Sequence, residues 1–201
     1  MITIVNYGLG NLNSIRNMLK YIGSESVITD DPKRIEESTK LILPGVGRFG
    51  AGMKGIKEKG ILEALNYKAL KERIPILGIC LGMQLLTKGS EEDDVDGLGW
   101  IDAHTIRFPE SNDYKIPHMG WNEVKVVNRN PLIPDDTAYN KFYFVHSYYV
   151  KTVQDSNTIF ETDNGIKFAS GIQKENIMGV QFHPEKSHKY GIALLKNFVE
   201  M

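Results

Sequence analysis

Ile74-Pro75-Ile76-Leu77-Gly78-Ile79-Cys80-Leu81-Gly82 passes from a strand pattern into a helix pattern with no loop between them. Residues 74–79 are a near-continuous apolar run, and residues 81–87 read as a helix that starts directly after Cys80. A strand apolar on both faces belongs in a parallel sheet covered on both sides, so this stretch decides for a three-layer α/β fold. A junction without a loop must turn sharply at one residue, and the small neighbours Gly78 and Gly82 stand two positions to either side of Cys80. This is the nucleophile-elbow pattern, G-x-S-x-G, with cysteine in the place of serine. An elbow presents its side chain above the C-terminal edge of the sheet, where open α/β folds bind ligands. The N-terminal end of a helix favours a thiolate, and the backbone N–H of Leu81 is expected to point where an oxyanion would form. The plainer reading is a buried, inert thiol at a tight turn.

Upstream of the elbow, strand and helix patterns alternate. Residues 2–5 predict a first strand, and residues 11–22 a helix with Leu12, Ile15, Met18, Leu19 and Ile22 near helical spacing. Val27-Ile28 is a weaker strand, and residues 40–43 are another that ends abruptly at Pro44-Gly45-Val46-Gly47. Residues 62–72 look helical. Downstream the character changes. Glu91-Glu92-Asp93-Asp94 is an acidic run that reads as a solvated loop. Residues 100–108, 124–127, 142–150, 158–162 and 167–173 predict shorter strands separated by Gly, Asn, Asp and Pro turns. Residues 177–182 are one more apolar strand, and residues 190–200 carry Ile192, Leu195, Phe198 and Val199 on one helical face. No repeat or linker interrupts the chain. Residues 1–201 are expected to form a single α/β domain, with a mostly parallel central sheet, helices on both faces and antiparallel strands in the second half.

The totals agree with one globular domain: 201 residues, 41% hydrophobic, 24% charged and a formal net charge of −1. That charge gives no general pull toward nucleic acid or an anionic membrane. No apolar run approaches the roughly 20 residues needed to span a bilayer, and residues 1–6 read as a strand rather than a leader. A lone cysteine forms no internal disulfide and cannot supply the paired thiolates of most structural zinc sites, which fits a reducing, cytoplasmic compartment and no bound metal. Gly8-Leu9-Gly10 after the first strand invites a dinucleotide reading, with Asp30 near the place of a ribose-binding acid. The third glycine of that fingerprint is replaced by Asn13, so no cofactor is expected.

A nucleophile needs a base, and the base needs a group that orients it. Of the five histidines, His104, His118, His146, His183 and His188, only His183 directly follows an apolar strand, which sets it at a strand end like Cys80. Pro184 fixes the backbone after it, and Glu185 can accept a hydrogen bond from its ring. A zinc-deaminase reading of His183-x-Glu185 fails for want of a Pro-Cys-x-x-Cys pair.

Gly78-Ile79-Cys80-Leu81-Gly82-Met83-Gln84 with His183-Pro184-Glu185 resembles the triad motifs of the class I glutamine amidotransferases. Five further segments, in order along the chain, narrow the resemblance to one branch of that family, the glutaminase subunits of imidazole glycerol phosphate synthases. They are Asn6-Tyr7-Gly8-Leu9-Gly10-Asn11-Leu12, Leu43-Pro44-Gly45-Val46-Gly47, His118-Met119-Gly120-Trp121-Asn122, Phe144-Val145-His146-Ser147-Tyr148 and Gln181-Phe182-His183-Pro184-Glu185-Lys186-Ser187. The resemblance implies a catalytic triad of Cys80, His183 and Glu185, with an oxyanion hole formed near Val46, Gly47 and Leu81. It implies that Gly45, Gln84, Ser147 and Tyr148 hold L-glutamine, and that Asn11, Trp121, Asn122 and Lys186 lie at the interface with a separate (β/α)8-barrel cyclase, which receives the ammonia. Relatives that serve an amidino-sugar pathway would carry similar glutaminase motifs. A stand-alone cysteine γ-glutamyl hydrolase, or a non-catalytic binding subunit, are the alternatives of different class; the intact triad argues against the last.

Overall fold

The computed structural model describes residues 1–134 and 140–201. Ile2–Val5 (β1) leads through Leu12–Tyr21 (α1) to Ser26–Thr29 (β2), Pro32–Glu36 (α2) and Lys40–Gly45 (β3). Phe49–Glu58 (α3) and Leu62–Asn66 (α4) follow, the latter continuing as a π-helical turn over Tyr67–Lys71. Ile76–Cys80 (β4) runs straight into Leu81–Leu85 (α5). Gly89–Ser90 (β5), Asp93–Asp96 (β6), Ala103–Arg107 (β7), His118–Glu123 (β8) and Lys125–Val126 (β9) come next. Lys141–His146 (β10), Tyr148–Thr152 (β11), Thr158–Asp163 (β12), Lys167–Lys174 (β13), Ile177–Val180 (β14) and His188–Glu200 (α6) complete the described elements.

Among the described residues the main sheet runs β2-β1-β3-β4-β14-β13-β11-β7-β5-β6, with β12 beside β13 and β9 beside β12, while β8 and β10 pair apart from it. The first five strands of this order are mutually parallel, and β13 and β11 continue antiparallel. Strand alternation sends successive residues to opposite faces. Ile4, Ile42 and Leu77 pack with Ile15, Leu19, Leu195 and Phe198 of α1 and α6. Val5, Leu41, Leu43 and Ile76 pack on the other face with Ile35, Phe49, Met53, Ile56 and Leu85 of α2, α3 and α5. Each such Leu, Ile or Phe contributes about 1.5–3 kcal/mol by leaving water, which explains why these strands read as unbroken apolar runs.

The sheet register creates the site. Gly45 pairs with Cys80, and Val180 pairs with Ile79, so residues 46–47, 80–81 and 181–183 all emerge at one C-terminal edge.

Several elements differ from the sequence expectation. Helices α2 and α3 and strand β8 were not anticipated. In α3, Phe49, Met53 and Ile56 are buried at helical spacing, but glycines lower the helix signal. One of them, Gly55, is required by packing, since a Cβ there would lie 2.1 Å from the Tyr7 carbonyl oxygen. The expected strand over 142–150 breaks at Ser147, because β10 joins β8 and β11 joins the main sheet. The acidic run 91–94 is not a free loop. A Glu92 carboxylate oxygen accepts from the N–H of Phe49 at 2.8 Å, and Asp93 accepts from the N–H of Gly50 at 2.8 Å. These carboxylates satisfy orphan donors at the N-terminus of α3, and Arg48 bridges Asp93 at 2.5 Å.

Candidate active site

Cys80 ends β4 and precedes the first turn of α5 with φ +54° and ψ −109°, a conformation that costs a non-glycine residue about 1–3 kcal/mol. The flanking glycines make the turn sterically feasible. A Cβ on Gly78 would lie 2.6 Å from the Gly82 carbonyl oxygen, and one on Gly82 would lie 1.7 Å from the Leu43 carbonyl oxygen. Cys80 is 6% exposed and opens into a cavity of about 290 Å³.

Cys80 and Leu81 form one side of that cavity and the Val46–Gly47 turn another. His146, Ser147 and Tyr148 line it where β10 gives way to β11, together with Gln84 and Glu92. Gly45, expected to hold the ligand, is buried and is not among the residues that line the cavity; an added Cβ there would sit 2.2 Å from the Tyr7 hydroxyl and 2.9 Å from the Leu81 Cβ. Sequence reasoning missed Glu92, whose run of acids looked like surface. The signal available was its position just ahead of the second, antiparallel half, where it folds back onto α3.

His183 follows β14 and is 1% exposed. Its backbone is clamped: its N–H donates to the Tyr143 carbonyl at 2.9 Å, and the Ser187 hydroxyl donates to its carbonyl at 2.6 Å. The ring Nδ1 lies 2.8 Å from Glu185 Oε1, and the Glu185 side chain is only 4% exposed. Nε2 is buried and makes no hydrogen bond of full geometry. Burial disfavours the imidazolium, but the Cys80 sulfur and the Glu185 carboxylate outweigh it and push the His183 pKa up to about 10. Gln181 donates to the Cys80 sulfur from Nε2 at 3.7 Å, and its carbonyl accepts from Gln84 at 3.1 Å.

The four residues expected at a partner surface separate into groups. Trp121 is 45% exposed and stacks on His188, with ring centroids 5.5 Å apart. Tyr143 stands edge-on to Trp121 and carries Lys186 Nζ 5.6 Å from its ring centroid. Asn122 turns inward and donates to the Asp163 carbonyl at 2.8 Å. Asn11 precedes α1 and is exposed, with no side-chain cap bond to that helix. Among the described residues no cluster of three or more His, Cys, Asp or Glu side chains could hold a metal ion, and no helix is long and apolar enough to cross a membrane.

A cysteine elbow facing a buried histidine–carboxylate pair across one edge of a parallel sheet defines a class of α/β enzymes acting through an acyl intermediate. The chain belongs to the class-I glutamine amidotransferase family, whose model matches residues 3–201. It is 52% identical over 200 residues to the imidazole glycerol phosphate synthase subunit HisH 2 of Methanococcus maripaludis, covering 100% of this chain and 99% of that protein. It is 43% identical over 201 residues to the subunit HisH 2 of Pseudomonas aeruginosa, covering all of both chains. Among solved structures, that of PurLQS from Thermotoga maritima superposes with a TM-score of 0.79 at 19% identity, over 99% of this chain and 97% of that one, a likeness of fold.

Proposed function

We propose that this chain is the glutaminase subunit of an imidazole glycerol phosphate synthase. It hydrolyses glutamine to glutamate and ammonia. A cyclase subunit uses the ammonia to make imidazole glycerol phosphate and aminoimidazole carboxamide ribotide in histidine biosynthesis. What supports the reading is the meeting of Cys80 with the buried His183–Glu185 pair at one sheet edge, in a chain 52% identical end to end to a subunit of that synthase.

The Cys80 thiolate attacks the side-chain amide carbon of glutamine, and the negative charge moves to the amide oxygen. The N–H of Leu81, free at the start of α5, and an N–H from the Val46–Gly47 turn receive that charge. His183 protonates the amide nitrogen, the C–N bond breaks and ammonia leaves. Water then attacks the thioester with His183 taking its proton, the C–S bond breaks and glutamate departs. Glu185 accepts from Nδ1 and so keeps Nε2 turned toward the reacting atoms. Gln84 and the backbone of Ser147 and Tyr148 position the substrate, Gly45 acts only through its close packing on Leu81, and the cavity-lining Glu92 supplies a carboxylate for the α-ammonium group.

Ammonia released into neutral water becomes ammonium, which has no lone pair for attack. The subunit therefore delivers it by docking on its partner, a (β/α)8-barrel cyclase, through the surface around Asn11, Trp121, Asn122 and Lys186. We place the complex in the cytoplasm and treat residues 1–201 as one amidotransferase domain. The test is a Cys80→Ala variant assembled with the cyclase. Glutamine-dependent synthesis should vanish while synthesis from added ammonia persists. Loss of both in an intact complex would defeat the assignment. Robust glutamine hydrolysis without any partner would favour the stand-alone hydrolase, and turnover only with an amidino-sugar partner would move the subunit to that pathway.

A further inference from the structure

A continuous line of hydrogen bonds runs from the exposed strand β8 to the sulfur of Cys80. Asn122 Nδ2 lies 3.2 Å from His118 Nε2. His118 Nδ1 lies 3.0 Å from His146 Nε2, and His146 Nδ1 lies 2.7 Å from the Tyr148 carbonyl oxygen. That carbonyl also accepts from Gln84 Nε2 at 3.2 Å, which in turn donates to Gln181, the residue that donates to Cys80.

The direction of every bond follows from its ends. A carbonyl only accepts, so His146 must carry its proton on Nδ1. A neutral ring then presents a bare Nε2, so His118 donates from Nδ1 and its own Nε2 is bare. Only a donor can face that atom, and Asn122 supplies its amide N–H. The amide cannot be reversed at no cost, because its oxygen already accepts from the N–H of Glu123 at 2.7 Å and its nitrogen donates to the Asp163 carbonyl. Phe144 and Phe168 pack against both imidazoles, and Phe108 against His146. This apolar shell penalises a charged ring: burial pulls His118 down to about 4 and His146 down to about 3.

The geometry points to Asn122, His118 and His146, acting with Gln84 and Gln181, as positioning residues of the glutaminase. Donors converge on the Tyr148 carbonyl from two sides, Asn122, His118 and His146 in series from one and Gln84 from the other, and Gln84 donates onward to Gln181, which seats the Cys80 sulfur. The assignment rests on the glutaminase reading above, but its structural content is independent of turnover. Satisfying buried polar groups would require only that each ring find some partner. A relay requires one tautomer in both rings, and because Gln84 shares the Tyr148 carbonyl with His146, an interruption at the far end must be felt in the Gln84–Gln181 pair that seats the sulfur.

The test uses three readouts. Nitrogen-15 NMR of the chain should show both rings neutral, with Nδ1 protonated and Nε2 bare. In the enzyme assembled with its cyclase, His118→Leu should raise KM for glutamine on the order of tenfold, the scale of one buried hydrogen bond, with a smaller change in kcat. His118→Asn, whose amide can donate from the place of Nδ1, should recover most of that loss. The rate of iodoacetamide labelling at Cys80 should follow the same order. Should His118→Leu not fold, Asn122→Asp replaces the donor with an acceptor at nearly constant shape and should shift the ring tautomers. Rings protonated on Nε2 in the parent, or a folded His118→Leu with parental KM and labelling, would overturn the relay. A parent chain that turns over no glutamine would defeat the glutaminase reading instead, leaving the tautomer and labelling results to judge the relay.

Discussion

The backbone at Cys80 reverses the usual ranking of alanine and glycine. At φ +54° a Cβ is crowded, and only glycine adopts such a conformation freely. Cys80→Gly is therefore expected to be more stable than Cys80→Ala by about 1 kcal/mol, in spite of its larger unfolded-state entropy. Urea midpoints of the two variants measure this, and equal or inverted midpoints would show that the elbow is relaxed. Both variants lack the proposed nucleophile, so the comparison isolates the strain that the backbone sustains at this residue. At His183 the expected loss is kinetic. His183→Ala should lower the glutaminase rate by orders of magnitude, and Glu185→Gln by less, because in the proposed mechanism Glu185, bonded to Nδ1, orients the ring and does not transfer the proton. Labelling of Cys80 by iodoacetamide should slow in His183→Ala, and identical labelling from pH 5 to 8 would show that the two side chains do not interact. The meeting of Cys80, His183 and Glu185 at one sheet edge was legible in the sequence because each stands beside a strong local signal, an elbow or a strand end. Glu92 and the His118–His146 pair were not legible. Their meaning lies in contacts between segments far apart in the chain, and an acidic run or an isolated histidine has no local pattern that reports them.

At the scale of elements, the elbow works because α5 starts flush against β3. Gly82 makes that approach possible: the atom its Cβ would strike is the Leu43 carbonyl oxygen, which the sheet fixes in place. Gly82→Ala must displace either the helix or the strand, so it should cost about 3 kcal/mol, near the upper end for overpacking. A thermal melt would reveal it, and a variant as stable as the parent would show that α5 slides freely. The parallel strands β1, β3, β4 and β14 were readable as apolar runs because both of their faces are covered. Helix α3 escaped because its packing against Tyr7 demands glycine where helix propensity demands alanine. The break at Ser147 escaped for another reason. Both β10 and β11 have strand-like composition, and nothing local states that they belong to different sheets. That break shapes the candidate site, since Ser147 and Tyr148, which line the cavity, stand at it.

For the whole molecule, three histidines set the response of stability to pH. An unfolded histidine titrates near 6.5. His118 and His146 have lowered values in the fold, so between about pH 6.5 and 4 the unfolded chain binds protons that the folded chain refuses. Their contribution is complete above pH 6.5 and is lost as pH falls toward those values. His183 has the opposite sign. Its value is raised to about 10, so its contribution is complete below pH 6.5 and is lost as pH rises toward 10. The two limbs meet, and stability should be greatest near pH 6.5. The acid limb should be the steeper, with up to two protons taken up on unfolding against one released on the alkaline side. Other shifted groups leave this window clear. The carboxylates of Asp30 and Asp93 are lowered by their Lys59 and Arg48 partners and titrate below it, and Tyr7 and Tyr149 are raised by burial and titrate above it. Denaturant titrations from pH 4.5 to 9 would trace both limbs. Cys80→Ala removes the sulfur that helps hold the His183 proton, so it should flatten the alkaline limb and spare the acid one. His146→Asn should do the reverse. A parent whose stability rises steadily from pH 6.5 to 9 would mean that His183 does not keep its proton, and the close pairing of Cys80 with His183 would have to be abandoned.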